Sequence, residues 1–348
     1  MEHTRTIKNI LIIFLMIAIV VIMGALSKVL IPLFLALVLA LMFQPIANGL
    51  RHIKIPVAII IPIVYIMTLG GVYLLVTVIY NTVTDIITDL PYLTERFNEK
   101  FNSAIKLYNQ ITGSRVRTNN FIDQTLKQID KSTIAQYAGA AASGISSFTS
   151  NFVMFALYYF LLLAGMPRYK DFIRFVGGED NGDRMLNNYE TVQKAVVNYM
   201  IYKSLINLTL GACVYFICIF FGIKFALFWA FLMFIFHFIP TIGAVIGSIP
   251  PILMALLQYD TWTPILIIIA ALFGIQFIVG NIIEPKIMGK QLKINTVTVL
   301  FGLVFWGSIW GIVGMLLSVP LMVLIKLILE QIPDLSYLSR LMGSTPKK

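Results

Sequence analysis

The chain has 348 residues, of which 59% are hydrophobic and 12% are charged, and its mean hydropathy is +0.88. A soluble domain carries about 25% charged residues, so this composition excludes a soluble globular protein and indicates an integral membrane protein. The net charge of +10 would suggest a nucleic-acid partner in a soluble protein. Here the basic residues lie in short gaps between long apolar runs, so the charge indicates membrane topology and we expect no nucleic-acid partner.

Uncharged stretches of about 20 residues predict helices that cross the bilayer. The first such stretch follows Arg5 and Lys8 and resembles a signal peptide. Because apolar sequence resumes at once after it, we expect it to be retained as a span. The predicted spans are residues 9 to 27, 29 to 50, 55 to 80, 148 to 166, 205 to 222 and 264 to 283.

Two further apolar stretches, 225 to 259 and 294 to 325, are too long for a single span. Glycine and proline interrupt both, at Pro240 and Gly243 in the first and at Gly307, Gly311 and Pro320 in the second. Broken helices free backbone groups that lipid cannot satisfy, so they survive only where protein or a water-filled cavity covers them. We therefore predict two broken or re-entrant hairpins within an all-α, polytopic transmembrane protein of about eight membrane segments.

The number of crossings and the positions of the basic residues predict the orientation. The short outside loops hold only Lys28 and Lys224, in line with the positive-inside rule, which places both termini in the cytoplasm. The chain then divides into spans one to three (1 to 80), an extracytoplasmic pair of amphipathic helices (81 to 147), a transport core (148 to 333) with a cytoplasmic loop (167 to 204), and a cytoplasmic tail (334 to 348). Within that loop, an amphipathic helix lying on the membrane surface is predicted from the spacing of Tyr189, Val192, Val196, Tyr199 and Met200.

An ionisable residue inside a membrane is a functional hypothesis by default, and Glu284 at the end of a predicted span is the first candidate. Its carboxylate is suited to binding a cation or cycling a proton. The alternative is a simple ion pair with Lys286 or Lys290 at the interface. Asn281 and Gln276 lie toward the same end of the span, where they either ligate a solute or bond across helices.

A second group of candidates surrounds the helix breaks. His237 stands just before Pro240. Histidine is the residue type suited to proton exchange under physiological conditions, so His237 is a candidate for a proton relay, with ordinary hydrogen bonding as the alternative. The interrupted helices expose carbonyl and amide groups that can hold ions or polar substrates, unless they only kink the chain. The sequence has no phosphate-binding glycine-rich loop, no metal-ligand set and no recognisable catalytic cluster, so we expect no enzyme, metal or cofactor.

Three motifs together resemble the signatures of the autoinducer-2 exporter family of bacterial permeases. They are N-I-I-E-P-K-I-M-G-K-Q-L from Asn281, H-F-I-P-T-I-G-A-V-I-G-S-I-P from His237 and W-G-I-V-G-M-L-L-S-V-P from Trp310. The resemblance implies a multi-pass transporter of the bacterial inner membrane that forms a homo-oligomer, with a pentamer as one candidate. Members have been linked to export of autoinducer-2, and others to exchange of sodium or lithium for protons.

Three functional hypotheses follow. The first is a secondary transporter that moves a small polar solute or an ion, with Glu284 as the coupling group and the two broken segments as the path. The second is a passive channel along the axis of an oligomer, in which the proline and glycine breaks gate the flow. The third is a membrane scaffold that transports nothing and recruits partners through residues 81 to 147.

Overall fold

The computed structural model describes residues 2–113, 151–288, 294–331 and 335–343, and every regular element within these ranges is a helix. The prediction of an all-α polytopic protein is confirmed. In chain order the helices are α1 Glu2–Ala25, α2 Ser27–His52, α3 Val57–Thr112, α4 Asn151–Gly165, α5 Tyr169–Gly178, α6 Asn181–Phe220, α7 Ala226–Phe236, α8 Ile242–Gln258, α9 Trp262–Ile278, a π-helical turn Val279–Ile283, α10 Glu284–Met288, α11 Thr296–Gln331 and α12 Ser336–Met342.

Among the described residues, five helical segments are long and apolar enough by length and composition to cross a membrane: α2, α3, α6, the continuous unit of α9 and α10, and α11, which is counted with its two arms together although it reverses at Gly311. A sixth span results if α4 and α5, which are bent by 78° relative to one another, are counted as one broken unit. Helix α1 covers the predicted first span, and its apolar side chains such as Phe14 and Leu15 are exposed. Exposed apolar side chains are the expected surface of a helix in lipid.

The first broken segment folds as the sequence predicts. Helix α7 has 11 residues and α8 has 17, corresponding to about 16 Å and 25 Å, and both are shorter than the roughly 20 residues of a full span. The turn between them contains Pro240 and Thr241, whose φ is +63°. A Cβ atom on Gly243 would lie 1.7 Å from the carbonyl oxygen of Phe236, so only glycine allows the two arms to approach this closely. The segment forms a helical hairpin.

The second broken segment is also a hairpin, and its reversal lies at Gly311, where φ is +60°. A Cβ on Gly314 would lie 2.0 Å from the carbonyl oxygen of Trp306, and one on Gly302 would meet Met322, so the two arms of α11 run antiparallel. Gly307 faces the side chain of Met315 in the same interface. Pro320 lies inside the second arm, where the helix continues on both sides, so it does not end a helix.

Helix α3 differs from the prediction that a span ends at residue 80. It continues without interruption for 56 residues, about 84 Å, which is far longer than the roughly 30 Å hydrocarbon core. The predicted third span and the first predicted amphipathic helix therefore form one continuous helix. The second predicted amphipathic helix lies outside the described residues.

The structure also corrects the prediction of a surface helix within 167 to 204. Val196, Tyr199 and Met200 are at most 7% exposed and belong to the main hydrophobic core. Helix α6 runs from Asn181 through the predicted span to Phe220, so these residues pack inside the protein. A smaller second core joins α2, α3 and α4 around Ala36, Val64 and Tyr159.

Candidate functional site

The candidate site begins where α9 widens into a π-helical turn, Val279–Ile283, before α10. Pro285 is the local cause of this wider turn. It lacks the N–H that would donate to the carbonyl oxygen of Asn281, and in a regular helix its ring would collide with the same carbonyl group. π-Helical turns inside α-helices frequently mark functional sites. Here the turn places Glu284 as the first residue of α10.

Glu284 lies between two other titratable side chains. Its Oε1 accepts a hydrogen bond from Lys203 Nζ of α6 at 2.5 Å, and its Oε2 lies 3.3 Å from His237 Nε2 at the end of α7. The side chains of Lys203 and His237 are only 3% and 7% exposed, whereas that of Glu284 is 27% exposed. We call Lys203, His237 and Glu284 the buried cluster.

The buried cluster joins three parts of the fold. Lys203 belongs to a long helix, His237 borders the break of the α7–α8 hairpin, and Glu284 follows the π-helical turn. Removing two opposite charges from water costs several kcal/mol per ion, and their attraction repays this only with good geometry. A buried ion pair is therefore weak evidence for stability, and inside a membrane it is stronger evidence for a functional role.

Asn207 extends the polar stripe of α6 by one turn beyond Lys203. Its Nδ2 donates to the carbonyl oxygen of Phe234 at 3.1 Å, which ties α6 to the last turn of α7. The residue is 0% exposed, and its Oδ1 has no hydrogen-bond partner among the described residues. Tyr199, Lys203 and Asn207 follow one another at intervals of four residues, so they share one face of α6.

The structure separates the other predicted site residues from this cluster. Gln276 is buried and donates to Ser248 Oγ of α8, which favours the interpretation of a bond across helices. Asn281 is exposed and donates to the carbonyl oxygen of Phe277 in its own helix at 3.2 Å. Lys286 is exposed and forms no ion pair within the described ranges, and Lys290 lies outside them. The alternative of an ion pair with Lys286 is therefore wrong in this structure, where the partner of Glu284 is Lys203.

The proline and glycine residues that interrupt the two broken segments lie in two places. Pro240 lies in the turn that follows His237 and Gly243 in the first turn of α8, next to the buried cluster. Gly307, Gly311 and Pro320 belong to the α11 hairpin, whose turn lies near α1: Trp310 Nε1 donates to the carbonyl oxygen of Met23 at 3.0 Å. Both hairpins pack against α6, so α6 links the two broken segments.

Lys203 is the member of the buried cluster that the sequence interpretation missed. Its position falls within the predicted cytoplasmic loop 167 to 204. The signal that could have found it is the four-residue spacing of Tyr199, Lys203 and Asn207, which places three polar side chains on one face of an otherwise apolar helix. The described residues hold no group of three or more His, Cys, Asp or Glu side chains placed to bind a metal ion.

A second cluster of charges lies where helix α3 meets the turn between α8 and α9. Asp260, in the α8–α9 turn, pairs with Arg96 at 2.8 Å and with Lys100 at 2.7 Å, both on the extension of α3. The same cations donate to the carbonyl oxygens of Leu257 and Tyr259, which are acceptors at the end of α8. We call Arg96, Lys100 and Asp260 the α3 clasp. Hydrogen bonds from Lys100 and then Arg96 lower the pKa of Asp260 below its ordinary value.

Comparison with known proteins identifies the family. A sequence profile described as AI-2E family transporter matches residues 10–334. The chain belongs to the AI-2E transporter family. Membership of this family, together with the five long apolar helices, makes the chain a multi-pass membrane protein with a role in transport.

Several bacterial relatives of the AI-2E family cover most of the chain. A Haemophilus influenzae protein is 27% identical over 91% of this chain and 90% of its own length. YhhT of Escherichia coli K12 is 29% identical, with 92% and 89% covered. The names of these two assign them to transport without a substrate. The AI-2 transport protein TqsA of Escherichia coli K12 is 25% identical, with 88% and 86% covered.

Proposed function

We propose that the chain is a secondary transporter of the bacterial inner membrane that moves a small polar solute, such as autoinducer-2, in exchange for protons. The observation that carries this proposal is the position of Glu284 between Lys203 and His237, beside a broken helix hairpin. The name of the relative TqsA supports the choice of autoinducer-2. Both termini face the cytoplasm in this proposal, and the functional unit is a homo-oligomer.

The proposed coupling step follows from the charges of the buried cluster. While Glu284 is ionised, it holds the ammonium group of Lys203 and draws His237 toward α10. Protonation of Glu284 removes the counter-charge and leaves Lys203 almost fully buried without a partner, which is costly in a medium of low polarity. The cost is relieved if the α7–α8 hairpin moves and admits water or solute. Proton binding and hairpin movement thereby become linked.

A second candidate function is exchange of a monovalent cation for protons. It is favoured by the oxygen atoms near Lys203: the carboxylate of Glu284 is partly exposed, and Asn207 Oδ1 lacks a hydrogen-bond partner among the described residues. Hard cations bind oxygen ligands of this kind. A cation that reaches Glu284 would compete with Lys203 for the same carboxylate.

The test uses purified protein in liposomes that contain a trapped pH dye. Labelled autoinducer-2 is applied under an imposed proton gradient in one series, and sodium, lithium or potassium in another. We expect saturable solute uptake that depends on the gradient and is lost in Glu284→Gln. A cation-dependent pH change with no solute flux would establish the second function instead.

The matched control is Glu190→Gln, which also replaces a glutamate by glutamine but at a different site. Glu190 pairs with Lys170 at 2.8 Å and lies apart from the buried cluster, so this variant should keep transport. Flux that is linear in concentration and independent of the gradient would instead indicate a passive channel. Normal proton coupling in Glu284→Gln would remove Glu284 from the mechanism.

A further inference from the structure

Two neighbouring cavities lie away from the buried cluster, where α2, α3 and α4 meet. The first has a volume of about 270 Å³ and lies between α2, α3 and the end of α4. The second has a volume of about 380 Å³ and lies between α2, α4 and the start of α5. Gln44, Met166 and Tyr169 line both cavities. Volumes of this size are typical of sites that bind small molecules.

The walls of the second cavity are apolar over most of their length. Leu37, Ala40 and Leu41 of α2 face Leu161 and Leu162 of α4. The stretch from Leu37 to Gln44 covers about 10 Å of helix. Leu161 is 56% exposed on the outside of α4, so the wall of the cavity continues into the apolar surface that faces the bilayer. This geometry suits an aliphatic chain that enters from the membrane.

The mouth of the cavities has a different chemistry. Arg168 lines the second cavity and Lys170 lines the first, with Tyr169 between them and Tyr189 opposite. Among the residues that the structure describes, no carboxylate lines either cavity. Lys170 forms an ion pair with Glu190. Arg168 forms no hydrogen bond or ion pair within the described residues. The mouth is therefore basic and aromatic, as is typical of the membrane interface.

We infer that these neighbouring cavities bind one membrane phospholipid with an anionic headgroup. The phosphate contacts Arg168, and an acyl chain lies along the groove between α2 and α4. Basic pockets between transmembrane helices on the cytoplasmic side are suited to anionic headgroups, and the predicted orientation places Arg168 on that side. This inference does not depend on what the protein transports.

A bound lipid here would have a structural consequence. The bend of 78° between α4 and α5 lies directly at this mouth, and α2 contributes to both the smaller core and the main core. The lipid would fill the space that the bend leaves between α2 and α4. It would thus support the contact between the two parts of the transmembrane region.

The experiment is native mass spectrometry of the full-length protein released from detergent, after addition of phosphatidylglycerol or phosphatidylcholine with identical acyl chains. We expect phosphatidylglycerol to be retained and phosphatidylcholine to be lost. Arg168→Gln should weaken retention about fivefold, since one basic residue near a charged lipid surface contributes about 1 kcal/mol. Leu161→Trp, at an exposed position in the groove wall, should block the acyl chain and weaken retention of the lipid.

The matched control is Lys194→Gln, which removes an exposed positive charge of α6 that lines neither cavity. This variant should retain phosphatidylglycerol like the unaltered protein, and gel filtration should show that all variants remain folded. Equal retention of both lipids, or unchanged retention in both Arg168→Gln and Leu161→Trp, would overturn the inference. Cross-linking between subunits through Leu161→Cys would also overturn it, because a neighbouring copy would then cover the groove.

Discussion

The buried cluster and the α3 clasp use the same kinds of charged group in opposite environments. In the buried cluster, the side chain of Lys203 is 3% exposed and its partner Glu284 is 27% exposed. In the clasp, Asp260 is 73% exposed although two cations hold it at similar distances. Water screens the clasp and not the cluster. Similar distances therefore correspond to different energies, and the two sites should respond differently to mutation, salt and pH.

The largest effect should come from breaking the buried pair. Lys203→Met removes the only hydrogen-bond donor to Glu284 among the described residues and leaves a carboxylate in a site of low polarity. Loss of one partner of a buried pair costs about 3–5 kcal/mol. We expect a marked fall in folded yield and in the thermal midpoint, measured by the fluorescence of detergent-solubilised protein.

The double variant Lys203→Met, Glu284→Gln provides the control for this prediction. Because it removes both charges, it should recover most of the stability that the single variant loses. It should not recover proton coupling, since the titratable group is absent. A double variant as unstable as Lys203→Met would show that packing of the lysine side chain, and not its charge, stabilises this region.

A smaller effect is expected from the glycine that lets the α7–α8 hairpin reach the buried cluster. In Gly243→Ala, the new methyl group would lie 1.7 Å from the carbonyl oxygen of Phe236, so the hairpin must open next to His237. Overpacking of this kind costs about 1–3 kcal/mol. The measurement is the thermal midpoint together with the initial rate of transport.

Gly274→Ala is the matched control for the hairpin, because a Cβ at Gly274 meets no atom within 4 Å. Alanine is favoured over glycine in a helix interior by up to about 1 kcal/mol, so this variant should be as stable as the unaltered protein or slightly more so. If the two alanine variants behave alike, close contact of the hairpin arms is not important for the site.

The sequence was sufficient to predict most of the fold because the relevant signals are local. Apolar runs predict the helices, and the breaks at Pro240 and Gly311 coincide with the two hairpin turns. The end of α3 could not be predicted in the same way. A change from apolar to amphipathic sequence at residue 80 alters what surrounds a helix, but it does not end the helix.

The candidate site was predictable only in part, for a related reason. Glu284 and His237 are conspicuous as polar residues in apolar segments, but Lys203 lies 81 residues before its partner. Sequence periodicity shows which face of α6 carries Lys203 and cannot show which helix packs against that face. The pairing depends on tertiary structure, as does the contact of Asp260 with α3.

The smallest predicted effect concerns the α3 clasp and its dependence on pH. Hydrogen bonds from Lys100 and Arg96 lower the pKa of Asp260 from its ordinary value of 3.8. A carboxylate with a lowered pKa in the folded state contributes stability above its ordinary pKa, and the contribution is lost as the pH falls through the lowered value. We therefore expect Asp260→Asn to reduce the thermal midpoint slightly at pH 7, and the difference from the unaltered protein to shrink below about pH 4. Asp85→Asn is the control, because Asp85 is exposed and forms no ion pair within the described ranges.

High salt should also reduce the effect of Asp260→Asn, since exposed charges are screened, while it should leave the effect of Lys203→Met nearly unchanged. A salt-independent loss at Asp260 would show that the clasp acts through its hydrogen bonds to the α8 carbonyl groups, and the contrast with the buried cluster would then be one of geometry and not of solvent exposure.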